Sequence, residues 1–229
     1  MKIFKTLTKF EWTLMLTSIS AVIFAFFITE DFNILSLIAS LIGVFALTFL
    51  AKGYVLGQIL TVFFSLIYAV ISFELKYYGE MITYLCMTAP IATMSVISWI
   101  KNPYTKGEPE VAVAQLDKRK IATMIILATF VTFIFYYILK YLGNASIFFS
   151  CLSITTSFCA SYLMYQRSNW YAVAYACNDI VLICLWVIAT FINSQYLTMV
   201  ICFTAFLVND LYAYHNWNKM KKRQTKNST

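Results

Sequence analysis

The sequence predicts an all-α integral membrane protein, and three observations support this: its composition, the length of its apolar runs and the position of its basic residues. The chain has 229 residues, of which 61% are hydrophobic and 12% charged. A soluble chain has about 45–50% apolar and about 25% charged residues. Because a soluble fold of this size lacks the interior to hide so much apolar surface, we expect the excess to face lipid.

Eight apolar runs are long enough to cross a bilayer, which needs about 20 residues per helix. In lipid each run must be helical, because backbone groups have no water with which to bond. The predicted spans are residues 12–29, 32–50, 54–73, 79–99, 121–141, 147–165, 169–191 and 196–217. Pro90 is expected to kink the fourth span or to free a carbonyl within it.

The basic residues predict the orientation of these spans. Fifteen of the 17 Lys and Arg residues fall on one side of the eight-span arrangement, and only Lys76 and Lys140 fall on the other. By the positive-inside rule that side is the cytoplasm, which predicts two cytoplasmic termini. The net charge of +7 is thereby assigned to membrane orientation rather than to nucleic-acid binding. The basic tail, 218–229, is interpreted as an orientation anchor, and a patch that binds anionic lipid or serves regulation is the alternative.

The second to fourth spans resemble the sixth to eighth. Lys52-Gly53-Tyr54 and Arg167-Ser168-Asn169-Trp170 each open a span with an aromatic residue, and Trp99 and Trp217 each close a group of three spans. The two tryptophans are also interpreted as members of an interfacial aromatic belt. The 1–229 membrane domain is therefore divided into an N-terminal helix (1–30), two three-helix repeats (32–100 and 147–217) and a linker helix (121–141). A single linker helix makes the repeats parallel, with a substrate path between them; chance similarity of apolar runs is the alternative.

Polar residues inside the predicted spans indicate where a solute binds. Asp179 and Asp210 each follow an asparagine, and an aspartate at mid-membrane costs about 2.5–3.5 kcal/mol, so it is expected to have a function. Aromatic rings beside carboxamide and carboxylate groups suit a planar, hydroxylated solute held near mid-membrane between the third, fourth, seventh and eighth spans. Hydrogen bonding between helices is the alternative role. The candidate substrate-binding residues are Gln58, Tyr68, Tyr84, Trp170, Tyr175, Asn178, Asp179, Trp186, Asn209 and Asp210.

No catalytic or metal-binding pattern is found in the sequence. The single histidine, His215, has no carboxylate or serine at a catalytic spacing, and the six cysteines lie inside apolar runs without a CxxC motif. We therefore expect a protein that is not an enzyme and that uses neither a cofactor nor a metal.

From about Leu35 to Trp217 the chain resembles the PnuC family of bacterial nicotinamide riboside transporters. The resemblance lies in the order and spacing of several short motifs. These are Ala51-Lys52-Gly53 with Gly57-Gln58, Tyr68, the run Tyr77-Tyr78-Gly79-Glu80-Met81, Pro90, Trp99-Ile100-Lys101-Asn102-Pro103, Trp170, Asn178-Asp179, Leu185-Trp186, Tyr196 and Trp217.

The resemblance implies paired three-helix bundles arranged as in the SWEET transporters, located in the bacterial inner membrane. It implies facilitated diffusion by alternating access, with a cytosolic kinase that traps the imported nucleoside by phosphorylation. It also places Gln58, Trp170 and Asn178 near the substrate.

Two departures from the family pattern leave other solutes open. Family members commonly have a second tryptophan shortly after the Trp170 position, where this chain has Tyr171 and Tyr175, and Tyr84 stands where an asparagine is often found. A deoxynucleoside, thiamine or riboflavin is the alternative substrate, and proton coupling through Asp179 and Asp210 is an alternative mechanism. A membrane adaptor acting through its basic tail is the alternative outside transport, and a homo-oligomer is left open.

Overall fold

The computed structural model describes residues 3–28, 34–74, 78–143, 146–191 and 197–227, and within these ranges the secondary structure is helical, without a named strand. A short 3₁₀ helix, Ile3–Thr6, comes first. A π-helical turn, Tyr84–Thr88, joins α4 to α5 into one continuous helix. The α-helices are α1 (Lys9–Ile28), α2 (Ile34–Ala51), α3 (Val55–Glu74), α4 (Tyr78–Thr83), α5 (Ala89–Lys101), α6 (Lys118–Tyr141), α7 (Ile147–Tyr165), α8 (Tyr171–Thr190) and α9 (Leu197–Lys226).

The all-α membrane class is confirmed. With α4 and α5 taken as one helix, the described residues form eight long helices that match the eight predicted spans. Six of these are long and apolar enough to cross a membrane, while α2 has a shorter apolar stretch, Leu37–Ala51. The exception to the predicted bounds is α9, which continues to Lys226, so most of the residues assigned to a separate basic tail belong to a helix.

The helices pack as two groups of three. The first group contains α2, α3 and α5, and the second contains α7, α8 and α9. The groups meet where α2 packs against α9 and where α5 packs against α7, while α6 packs against α7 and α1 packs against both α2 and α9. This grouping agrees with the two repeats predicted from the sequence, and their bounds stay a prediction.

The turns that follow α2 and α7 have the same hydrogen-bond pattern. Gly53 has φ 68°, and its N–H donates to the carbonyl of Leu50, three residues earlier. Arg167 has φ 58°, and its N–H donates in the same way to the carbonyl of Met164. A left-handed backbone suits glycine and is strained in arginine. In this comparison Gly53 corresponds to Arg167, and the aromatic residues Tyr54 and Trp170 follow one and three residues later.

Trp99 and Trp217 tie the two helix groups together, and we call them the reciprocal tryptophan pair. Trp99 Nε1 donates to the carbonyl of Met164 on α7 at 3.1 Å, and Trp217 Nε1 donates to the carbonyl of Leu50 on α2 at 2.9 Å. Their rings lie 5.5 Å apart, and both residues are 0% exposed. The interpretation as an interfacial belt is therefore wrong, because a belt residue needs a face toward the headgroups.

The end of α9 binds the loop between α5 and α6. Gln224 accepts a hydrogen bond from Val113 N at 2.8 Å and donates to Val111 O at 3.1 Å and to Glu110 Oε1 at 2.8 Å. Arg223 forms an ion pair with the same Glu110 carboxylate. The C-terminal basic residues are consequently held on an ordered helix against residues 102–117, and we call this end of the molecule the loop side.

The N-terminal helix is fastened to both groups through Glu11, which is 2% exposed. Its carboxylate forms an ion pair with Lys52 Nζ at 3.1 Å and accepts a hydrogen bond from Tyr212 OH at 2.8 Å. Lys52 follows α2 and Tyr212 lies on α9, so this one carboxylate bridges the seam between the groups. A buried carboxylate is tolerated when charged and polar partners satisfy it.

The reciprocal tryptophan pair yields a prediction about stability. Trp217→Phe removes the donor to Leu50 O and some packing volume but keeps an aromatic ring. We expect it to lower the free energy of unfolding by about 1–3 kcal/mol, seen as a lower thermal midpoint in detergent. Trp12→Phe, at a position 38% exposed, is the control and should change the midpoint much less; equal effects would contradict the assigned role.

Candidate substrate cavity

A cavity lies between the two helix groups and holds about 680 Å³ of empty space, counting its open mouth. Both groups contribute to its wall, and Leu50 and Met164, whose carbonyls accept the tryptophan hydrogen bonds, are part of it. The reciprocal tryptophan pair therefore lies directly behind the loop-side end of the cavity. The lining residues are Gly43, Ala46, Leu47, Leu50, Thr61, Phe64, Tyr84, Thr88, Ser157, Met164, Tyr175, Asn178, Asp179, Leu182, Phe203, Phe206 and Asp210.

The polar part of the wall comes mostly from α8 and α9. Asp179 and Asp210 are each 4% exposed, and their carboxyl groups are close enough to share a hydrogen bond. Asn178 Oδ1 accepts hydrogen bonds from Thr156 at 2.9 Å and from Ser153 at 3.3 Å, which fixes this amide against α7. The amide NH₂ group of Asn178 is consequently the part of this side chain available to a ligand.

The aromatic part of the wall comes from α3, the π-helical turn, α8 and α9. The Tyr84 ring lies 4.4 Å from the Tyr68 ring and 5.9 Å from the Phe64 ring, in tilted and edge-on arrangements. Across the cavity, Tyr175 shares a hydrogen bond with Ser161 at 3.0 Å. Aromatic faces next to amide and carboxyl groups can stack on a planar ring while hydrogen bonding to its substituents.

The π-helical turn sets the position of Tyr84. Within it, the N–H of Ala89 bonds to the carbonyl of Tyr84, five residues earlier, instead of four. Pro90 follows at the start of α5 and has no N–H to donate. The expected disturbance in the fourth span is thus a π-helical turn, a feature often found at functional sites.

Five of the ten predicted binding residues line the cavity: Tyr84, Tyr175, Asn178, Asp179 and Asp210. Tyr68 stacks behind Tyr84 and Phe64. Trp170 is 50% exposed, with its ring 5.8 Å from that of Tyr214. Neither Tyr68 nor Trp170 is part of the cavity wall.

The remaining three predicted residues are buried outside the wall. Trp186 packs with Leu182 and Phe203. Asn209 donates to Ser18 Oγ at 2.9 Å and to the carbonyl of Ala205 at 2.8 Å, so it joins α9 to α1. Gln58 is 1% exposed, and its Nε2 has no hydrogen-bond partner among the described residues.

The predicted boundary of the site was incomplete. Besides the third, fourth, seventh and eighth spans, α2 and α7 form part of the wall, through Gly43 and Ala46 and through Ser157 and Met164. There is little room for a side chain at Gly43, since an added Cβ would lie 3.3 Å from the Phe206 ring. The small residues on one face of α2 were the available signal, but they equally suit close helix packing.

Known proteins resemble this chain over nearly all of its length. The family model for nicotinamide mononucleotide transporters matches residues 33–219. The nicotinamide riboside transporter PnuC of Neisseria mucosa is 27% identical over 224 residues, which cover 95% of this chain and 84% of that protein. The protein of the same name from Haemophilus influenzae is 26% identical over 215 residues, or 93% of this chain and 92% of that protein.

A solved structure has the same fold. A crystal structure of the vitamin B3 transporter PnuC aligns with this chain at a TM-score of 0.82 and 25% sequence identity, covering 97% of this chain and 96% of that one.

Fold, cavity and relatives together define the class of protein, a multi-pass membrane transporter rather than an enzyme. Polar and aromatic cavities between helix repeats are where such proteins bind their substrates. Within that class the chain belongs to the nicotinamide mononucleotide transporter family, which includes the PnuC proteins that it resembles.

Two buried amides outside the cavity lead to opposite stability predictions. Gln58→Met removes an unpartnered donor and keeps the volume, so we expect an unchanged or higher thermal midpoint in detergent. Asn209→Leu removes two hydrogen bonds and should lower the free energy of unfolding by about 0.5–2 kcal/mol. A clear loss of stability in Gln58→Met would mean that its amide is satisfied in the folded protein.

Proposed function

We propose that this protein imports nicotinamide riboside across the bacterial inner membrane by facilitated diffusion. The observation that carries the proposal is the cavity, in which Tyr84, Tyr175, Asn178, Asp179 and Asp210 combine aromatic faces with amide and carboxyl groups. A nicotinamide ring can stack on the tyrosines, while its ribose hydroxyls and carboxamide bond to the polar side chains. The names of the relatives point to the same solute.

The mechanism that we propose is alternating access by rocking of the two helix groups. The cavity lies at their seam, and specific contacts cross this seam on the loop side. They are the reciprocal tryptophan pair, the Glu11 bridge, and the hydrogen bonds from Asn216 to Ala51 O, from Ser98 to Tyr165 O and from Tyr171 to Leu50 O. Release of the solute on the loop side would require the hydrogen bonds to Leu50 O and Met164 O to break. Rigid-body movement of one repeat against the other is the motion common to transporters built from repeats.

Facilitated diffusion cannot concentrate a solute by itself. We therefore propose that a cytosolic kinase phosphorylates the imported nucleoside, since the added charge prevents its return through the membrane. The cavity wall has two carboxyl groups and, among its lining residues, no basic side chain, which disfavours the phosphorylated product.

Binding measurements test the substrate. We expect the purified chain to bind nicotinamide riboside with micromolar affinity by calorimetry, and to bind thymidine, thiamine and riboflavin more than about 10-fold more weakly. Asn178→Ala removes an amide that faces the cavity and should weaken nicotinamide riboside binding by about 10-fold. Trp12→Phe is the control, and tight binding of another solute instead would replace the proposed substrate.

Orientation can be tested with fusions to the end of α9. We propose that the loop side is cytoplasmic, because it carries most of the basic residues, including Lys118, Arg119 and Lys120. A fluorescent protein that matures only in the cytoplasm, joined after residue 229, should then fluoresce. Alkaline phosphatase at the same point should be inactive, and the opposite pair of results would reverse the topology.

A further inference from the structure

The carboxyl groups of Asp179 and Asp210 face each other where α8 and α9 meet, and both residues line the cavity. Each residue is 4% exposed, and Asp179 Oδ2 accepts no hydrogen bond from a donor among the described residues. Two carboxyl groups can bond to each other only when a proton lies between them, and two adjacent carboxylates at this depth would repel strongly. The arrangement therefore requires at least one proton on the pair, and with a single proton the pair carries one negative charge.

Among the described residues packed around the pair, no positive charge balances it. On α1, which packs against α9, Lys9 is exposed and Glu11 is paired with Lys52. The helices α2, α3, α7 and α8 contain no Lys, Arg or His, and on α9 the first basic residue, His215, is exposed and lies five positions after Asp210. The titratable groups nearest to the pair are all acids: Tyr84 from the π-helical turn with Glu80 beside it, Tyr171 and Tyr175 from α8, and Cys202 from α9. A buried charge without a countercharge is costly, which points to a ligand that provides one.

We propose that Asp179 and Asp210 form a carboxyl pair that shares one proton, and that its single negative charge makes the cavity prefer a cationic ring over a neutral ring of the same shape. The inference rests on the proposed function, because the nicotinamide ring of nicotinamide riboside is a pyridinium and carries one positive charge. The pair is thus a specificity determinant that recognises charge, beside the tyrosines and Asn178, which recognise shape and hydrogen bonding. It distinguishes N-glycosides of a pyridinium from ordinary nucleosides, whose bases are neutral.

The test compares two ligands that differ in this charge alone: nicotinamide riboside and its carbon isostere, in which a neutral benzamide ring replaces the pyridinium. Affinities for the full-length protein in detergent are measured by calorimetry, and the readout is the ratio of the two dissociation constants. Two opposite charges about 6 to 12 Å apart, at an effective dielectric constant near 20, attract each other by an amount that corresponds to a factor of about 100 to 10 in affinity. We expect the unaltered protein to prefer the cation by at least about 10-fold.

Three variants separate the charge from its surroundings. Asp179→Asn with Asp210→Asn removes both acids and should abolish the preference for the cation. Asp210→Asn alone puts an amide donor where the shared proton was and leaves one carboxylate, so it should keep the preference. Glu80→Gln is the matched control, because it removes a carboxyl that is not part of the cavity wall, and it should also keep the preference.

A pH series on the unaltered protein tests the pair even where the double variant does not fold. Lowering the pH from about 8 to about 5 favours a second proton on the pair and removes its charge, so affinity for the cation should fall while affinity for the isostere stays constant. Any of three results would overturn the proposal. The ratio of the two dissociation constants could be independent of pH, the double variant could keep the preference for the cation, or Glu80→Gln could lose it. If the unaltered protein binds neither ligand, it is the proposed function that fails.

Discussion

Two tryptophan side chains, each donating a hydrogen bond to the opposite helix group, join the two groups on the loop side of this protein. Trp99 donates a hydrogen bond to the carbonyl of Met164, the penultimate residue of α7, and Trp217 donates one to the carbonyl of Leu50, the penultimate residue of α2. Because both acceptor residues also line the cavity, the position of its wall depends on these contacts. A bilayer supplies no hydrophobic force between helices, so specific hydrogen bonds and close packing decide how the groups meet.

The contacts that surround this seam involve residues distant in the sequence. Glu11 joins Lys52 and Tyr212, and Gln224 joins Glu110, Val111 and Val113. The N-terminal helix and the end of α9 therefore connect the two groups outside the cavity wall. These contacts lie outside the cavity wall, and the wall itself contains the amide of Asn178 and the carboxyl groups of Asp179 and Asp210.

Sequence reasoning predicted the helices well, because an apolar run of about 20 residues has few other structures available in lipid. It found Asp179 and Asp210 for the same reason, since an acid inside such a run stands out. It failed where a residue type serves two purposes. A tryptophan near a span end is typical of an interfacial belt, so the burial of Trp217 was missed, and Gly43 could not be distinguished from a residue that only packs helices. The basic charges after Trp217 hid a helix, because Arg223 and Gln224 find their partners on a loop more than 100 residues earlier.

The π-helical turn at Tyr84–Thr88 has a geometric consequence for the wall of the cavity. An α-helix advances by about 100° per residue, and a π-helical turn accommodates one residue more than an α-helical turn does. A return of this turn to α-helical hydrogen bonding would swing the Tyr84 ring by about one such step relative to α5 and separate it from Tyr68 and Phe64. The one extra residue of this turn therefore decides which direction the Tyr84 side chain takes relative to the face of α5.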